Sequence, residues 1–223
     1  KKHSPDTITV FGGPNFPTTP EEKKAHLESW PGVDFYIDGE AELSFVELIQ
    51  TIEKYDFDFK QLKSDQIKIA STHYLLNETL ICGELMERIV NVEESIPSPY
   101  LNGMMDSFFD NTLMPLVQTS RGCPYSCTFC HDGIGYMNKT KRFSQERIDS
   151  ELTYISERVK VPSLFLADLN WGMFPDDILT AEHIASLRKK TDWPQDVVTA
   201  TAKMQKKNII KITELLGDSF QVG

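Results

Sequence analysis

The chain has little cysteine, no long apolar stretch and a deficit of positive charge. No apolar run approaches the roughly 18 residues that a membrane helix needs, so no membrane span is expected. Lysine and arginine number 23 against 33 acidic residues, a net charge of −10. That deficit works against binding phosphate backbones, which needs clustered cations, and nucleic acid is not an expected partner. No secretory leader pattern is read after Lys1-Lys2-His3. The four cysteines among 223 residues are too few and too clustered for the disulfide framework of a secreted domain. A reducing, cytoplasmic location is expected. The rest, 40% hydrophobic and 25% charged, is ordinary for globular domains and excludes wholesale disorder.

Strand and helix signals alternate along most of the chain. Thr7–Phe11 reads as a strand stopped by Gly12-Gly13-Pro14, and Thr19-Pro20-Glu21-Glu22 reads as a helix start. A second strand, Val33–Ile37, ends at Asp38-Gly39-Glu40, and apolar spacing predicts a helix from Leu43 to about Tyr55. Short strands are predicted at Ile67–Ile69, Tyr74–Leu76 and Thr79–Cys82, with a reversal at Asn77-Glu78. Ile96-Pro97-Ser98-Pro99 marks a boundary. We therefore expect a first α/β domain over 1–95, a linker over 96–112 and a second unit over 113–223. In the second unit, strands at Leu116–Ser120, Ser163–Ala167 and Val197–Ala202 alternate with helices capped by Ser144, opened by Asp176 or Asp177, and starting at Gln205. Repeated strand-then-helix order predicts parallel strands, most economically part of a (β/α) barrel. The chain opens on a strand and closes as another begins, so an internal piece of a longer polypeptide is expected.

The chemistry concentrates in Cys123-Pro-Tyr-Ser-Cys127-Thr-Phe-Cys130, with three residues and then two between thiols. Such a loop can wrap an iron–sulfur cubane and present one thiolate to each of three irons. Its place directly after a strand puts it at the C-terminal mouth of a parallel barrel. Three ligands leave one iron open, as a catalytic metal centre requires. The competing reading is a structural zinc site completed by Cys82 or His131, although zinc ligands usually group in pairs.

The loop, with Phe129 before its last cysteine, resembles the signature of radical S-adenosylmethionine (SAM) enzymes. That resemblance implies a [4Fe–4S] cluster on Cys123, Cys127 and Cys130 that cleaves SAM to a 5′-deoxyadenosyl radical. It also implies that Phe129 lies near the adenine, with Asp168 and Asn170 at strand-end positions for contacts to SAM. Thr199 and Thr201 are weaker candidates. The N-terminal unit is similar to the cobalamin-binding domain of one branch of that family. The likeness rests on Gly12-Gly13-Pro14, on Gly39-Glu40-x-Glu42 and on the proline link. It implies cobalamin over Gly12, Gly13, Pro14, Gly39 and Glu40, although acids beside a helix start also read as a solvated turn. The fold class implied is a partial Rossmann-like domain followed by a partial radical SAM barrel.

The function expected from the resemblance is methyl transfer to an unactivated centre of a small-molecule substrate. An electron donor such as flavodoxin or ferredoxin would serve it. The alternatives are a radical SAM enzyme whose first domain is a scaffold without cobalamin, or a zinc-stabilised interaction module. Methylthiotransferases acting on tRNA would carry three more cysteines in the first domain, where Cys82 stands alone. No catalytic side chain is assigned. His3, His26 and His73 read as surface or packing residues, and Cys82 as a small buried apolar one.

Overall fold

A computed structural model describes residues 4, 6–13, 15–130, 132 and 135–222. The chain divides into two compact units, Lys1–Ile89 and Val90–Gly223.

In the first unit, β1 (Val10–Gly12) leads through α1 (Pro20–Glu28) to β2 (Phe35–Ile37). Pro20 opens α1, and the Thr19 side chain accepts from the Glu22 amide, as the sequence predicts. Next come α2 (Ala41–Lys54), α3 (Phe59–Ser64), β3 (Thr72–Leu76) and β4 (Thr79–Cys82). The sheet order is β1-β2-β3-β4. β1 and β2 run parallel, while β3 is antiparallel to β2 and to β4. The reversal at Asn77-Glu78 is a two-residue hairpin turn with φ of +47° and +64°.

The strand expected at Ile67–Ile69 does not form. Its carbonyls serve other partners: Ile67 accepts from the Tyr74 hydroxyl at 2.8 Å, and Ile69 accepts from the Thr72 amide at 3.0 Å. Its apolar residues instead fill the core, which joins Phe35, Ile37, Leu48, Ile52, Leu62, Ile69, Tyr74 and Ile81.

The second unit opens with α4 (Val92–Ser95) and a 3-10 turn at Asp106–Phe108. The linker segment packs here: the Tyr100 hydroxyl donates to Leu116 O at 2.9 Å and accepts from Leu116 N at 3.1 Å. β5 (Leu116–Val117) is followed by β6 (Ser120–Arg121), β7 (Lys141–Arg142) and α5 (Gln145–Ser156). Then β8 (Ser163–Trp171), α6 (Asp176–Thr191), β9 (Asp196–Thr201), α7 (Lys206–Leu216) and β10 (Phe220–Val222) alternate. The sheet order is β10-β9-β8-β5, and every pairing is parallel. This is the strand–helix repeat of a (β/α) barrel wall. α5 buries Ile148, Leu152 and Ile155 along one stripe.

The strand expected at Leu116–Ser120 is split. After Val117 the chain leaves the sheet, and Ser120-Arg121 pairs antiparallel with Lys141-Arg142. β6 and β7 thus form a small ribbon from which the cysteine loop extends. β8 is longer than expected because it continues past Ala167 through Asp168 and Asn170.

Candidate functional site

The ribbon bearing the cysteine loop is tied to the end of β8 by two buried carboxylates. Asp168 is 3% exposed. Its oxygens accept from the Thr119 amide (3.0 Å), the Thr119 hydroxyl (2.8 Å), the Ser120 amide (2.6 Å) and the Ser120 hydroxyl (2.5 Å). Burial pushes its carboxyl above the ordinary value, against the pull of these donors. Asp177, at the start of α6, accepts from the Gly172 amide at 2.8 Å and the Phe174 amide at 2.9 Å. Its other oxygen lies 2.9 Å from the Arg142 guanidinium, which also sits 4.4 Å over the Phe174 ring. One carboxylate therefore fixes the strand entering the loop, and the other fixes the strand leaving it.

Cys123 is buried, whereas Cys127 and Cys130 are half-buried. The Cys123 amide donates to Met137 O at 3.1 Å, closing the base of the loop. The Cys130 amide donates to Cys127 O at 3.0 Å, making the tight turn between the last two thiols. Two side chains from β-strand ends then reach the sulfurs. Asn170 Nδ2 donates to Cys123 Sγ at 3.1 Å, and Lys203 Nζ lies 3.6 Å from Cys127 Sγ. The same ammonium sits 6.0 Å from the Tyr125 ring and 5.7 Å from the Phe129 ring. Phe129 is 86% exposed.

Of the residues expected near SAM, Asn170 touches the loop through Cys123, Phe129 stands on it with an open face, and Asp168 lies buried with its oxygens engaged. Asn170 Oδ1 and Thr199 Oγ1 are buried and meet no hydrogen-bond partner among the described residues. Lys203 escapes the sequence reading. Its only signal is a position two residues beyond β9.

Three cysteines on one loop are the kind of donor set that a cubane takes. A zinc ion draws its thiolates to about 2.3 Å from one point, whereas a cubane spreads them over separate irons. His131 lies outside the described residues. Cys82 belongs to the first unit, where burial raises its thiol above the ordinary value.

In the first unit the two glycine turns share an edge, because β1 and β2 are parallel and Gly12 is in register with Ile37. A Cβ on Gly12 would lie 3.3 Å from Ile37 O. Gly13 has φ +124° and open space where a Cβ would project. Gly39, with φ +77°, follows β2 on the same edge. Pro14 lies outside the described residues. Glu40 is not in a solvated turn: its side chain is 6% exposed and 2.8 Å from Arg88. It also accepts from the Ile89 amide at 2.8 Å. That carboxylate is spent on holding the 88–89 segment. Beside the turns, Asp38 accepts from Lys23 at 3.0 Å and faces buried His73 at 3.7 Å.

The radical SAM methyltransferase TsrM of Kitasatospora setae, solved with cobalamin and a [4Fe–4S] cluster, superposes with a TM-score of 0.59 at 14% identity. The match covers 95% of this chain and 40% of that one, and it shows the shared fold. No family model matches the chain. The cobalamin-dependent radical SAM methyltransferase TokK of Streptomyces tokunonensis is 29% identical over 98% of this chain. The 2-(S-pantetheinyl)-carbapenam-3-carboxylate methyltransferase of Streptantibioticus cattleyicolor is 31% identical over the same share. The chain spans about a third of the length of these relatives, 31% in each case. It is homologous to cobalamin-dependent radical SAM enzymes through both of its units.

Proposed function

We propose that the chain forms the cluster loop and the cobalamin-facing edge of a cobalamin-dependent radical SAM methyltransferase acting on a small-molecule substrate. The observation that carries this reading is the three-thiol loop, anchored through Asp168 and Asp177 and met by Asn170 and Lys203. Cys123, Cys127 and Cys130 would hold a [4Fe–4S] cluster, leaving one iron for SAM. When bound, the cluster supplies the electron that cleaves SAM to a 5′-deoxyadenosyl radical, and cobalamin supplies the methyl group to an unactivated centre.

The chain's own residues divide the remaining work. Phe129 offers an exposed ring to the adenine. Asn170 Oδ1 is a free acceptor for the amino group of SAM, while Asp168 acts by fixing Thr119-Ser120. Gly12, Gly13 and Gly39 leave room for a broad flat ligand at the C-terminal edge of β1 and β2, where open α/β sheets bind ligands. The electron comes from a protein donor of the flavodoxin or ferredoxin type.

The test is anaerobic reconstitution of the complete polypeptide with iron and sulfide. A dithionite-reduced sample should give a [4Fe–4S] electron paramagnetic resonance (EPR) signal that SAM perturbs, and Cys123→Ala, Cys127→Ala and Cys130→Ala should each lose it. An iron-free protein, or one holding a stoichiometric zinc, would refute the proposal. Hydroxocobalamin should co-elute on gel filtration, and its absence would assign the first unit to a scaffold role.

A further inference from the structure

The cluster loop offers three thiolates, and the structure treats them unequally. Cys123 receives an N–H from Asn170 at 3.1 Å. Cys127 faces the Lys203 ammonium at 3.6 Å. Cys130 has a carboxylate beside it instead, with Asp132 Oδ2 4.0 Å from its sulfur. The two donors come from neighbouring strands, Asn170 from within β8 and Lys203 from just past β9. Their strands pair in parallel, with Trp171 in register with Thr201. The sheet thus presents two N–H groups side by side to two sulfurs of one loop.

Such donors matter because hydrogen bonds to cluster sulfurs help set its potential. Reduction from the 2+ to the 1+ state adds one electron and one negative charge to the iron–sulfur core. A donor or cation at a coordinating sulfur stabilises the more negative state more, and so raises the potential. Burial away from water has the opposite effect, because it penalises the extra charge. Cys123 is the buried thiol, and it is the one that receives the fixed amide.

We infer that Asn170 and Lys203 are positioning residues that hold the Cys123 and Cys127 thiolates and make the cluster easier to reduce. The inference rests on the proposed [4Fe–4S] centre. Asn170 can serve both roles, because Nδ2 is used on sulfur while Oδ1 is left over.

The experiment is an EPR-monitored redox titration of the complete, anaerobically reconstituted polypeptide, with iron content and far-UV circular dichroism measured on each sample. Asn170→Asp keeps the side-chain shape but replaces the donor with an acceptor. Lys203→Met removes the cation from an exposed position, and Lys203→Arg restores it. At the wild-type midpoint, each of N170D and K203M should lower the ratio of reduced to oxidised cluster about fivefold, the worth of one modest hydrogen bond. K203R should return close to wild type. If N170D keeps the wild-type dichroism but loses iron, the loop has lost its anchor, as positioning requires, and K203M then carries the potential measurement. Midpoints unchanged in both variants at full iron content would overturn this inference alone. A wild-type protein without a cluster would remove it together with the proposed function.

Discussion

Asp168 shows how one buried side chain can anchor a loop. Its four hydrogen bonds satisfy two amides and two hydroxyls at the point where the chain leaves the sheet. Asp168→Ala would leave all four donors buried without an acceptor, at about 1–3 kcal/mol for each one left unsatisfied. We expect a loss of at least about 3 kcal/mol in urea unfolding of the polypeptide, together with reduced iron uptake. Unchanged stability would mean that water replaces the carboxylate and that the loop is anchored elsewhere. Glu40 teaches the same lesson from the opposite direction. An acid beside a helix start reads as solvated, yet Arg88, 48 residues away, buries it.

Elements in the first unit are shaped by close backbone approaches. A Cβ on Gly83 would fall 1.7 Å from Ile69 O, so no side chain fits without parting the Ile69–Thr72 turn from the end of β4. Gly83→Ala should destabilise the first unit by about 2–3 kcal/mol, seen as a lower midpoint in thermal unfolding. A neutral result would show that this turn shifts freely. The β2 end also carries an acid sensitivity. Burial pushes the Asp38 carboxyl up, but the hydrogen bond from Lys23 and the nearby Lys23 and His73 side chains outweigh it and hold the carboxyl below the ordinary value. An acid depressed in the folded state stabilises fully above its unfolded value of about 3.9, and that contribution fades as pH falls through the folded value. Asp38→Asn should therefore reduce stability at pH 6 and lose less than wild type on going to acid. Urea titrations at pH 6 and below about pH 4 compare the two; parallel pH profiles would exclude the linkage.

At the scale of the molecule, the two candidate ligand sites lie on separate compact units. The cysteine loop and both of its sulfur donors belong to the second, and the glycine edge belongs to the first. In the complete polypeptide, Gly13→Val should lower retention of hydroxocobalamin while leaving iron content unchanged. Cys127→Ala should do the reverse. Loss of both cofactors in either variant would show the sites to be interdependent. No helix among the described residues is long and apolar enough to cross a membrane.

The spacing of Cys123, Cys127 and Cys130 by itself puts three thiols on one loop, because all three fall within eight residues. Strand and helix periodicity likewise settled the α/β class and the parallel repeat of the second unit, and Asn77-Glu78 settled the hairpin. These are short-range signals. Tertiary structure alone decided which atoms serve the thiolates: Asn170 lies 47 residues from Cys123 and Lys203 lies 76 from Cys127. It also decided that Asp168 is spent on Thr119-Ser120, that Glu40 is buried, and that Ile67–Ile69 fills a core. Each of these depends on partners brought together by sheet pairing, and local residue pattern carries no record of a contact across the fold.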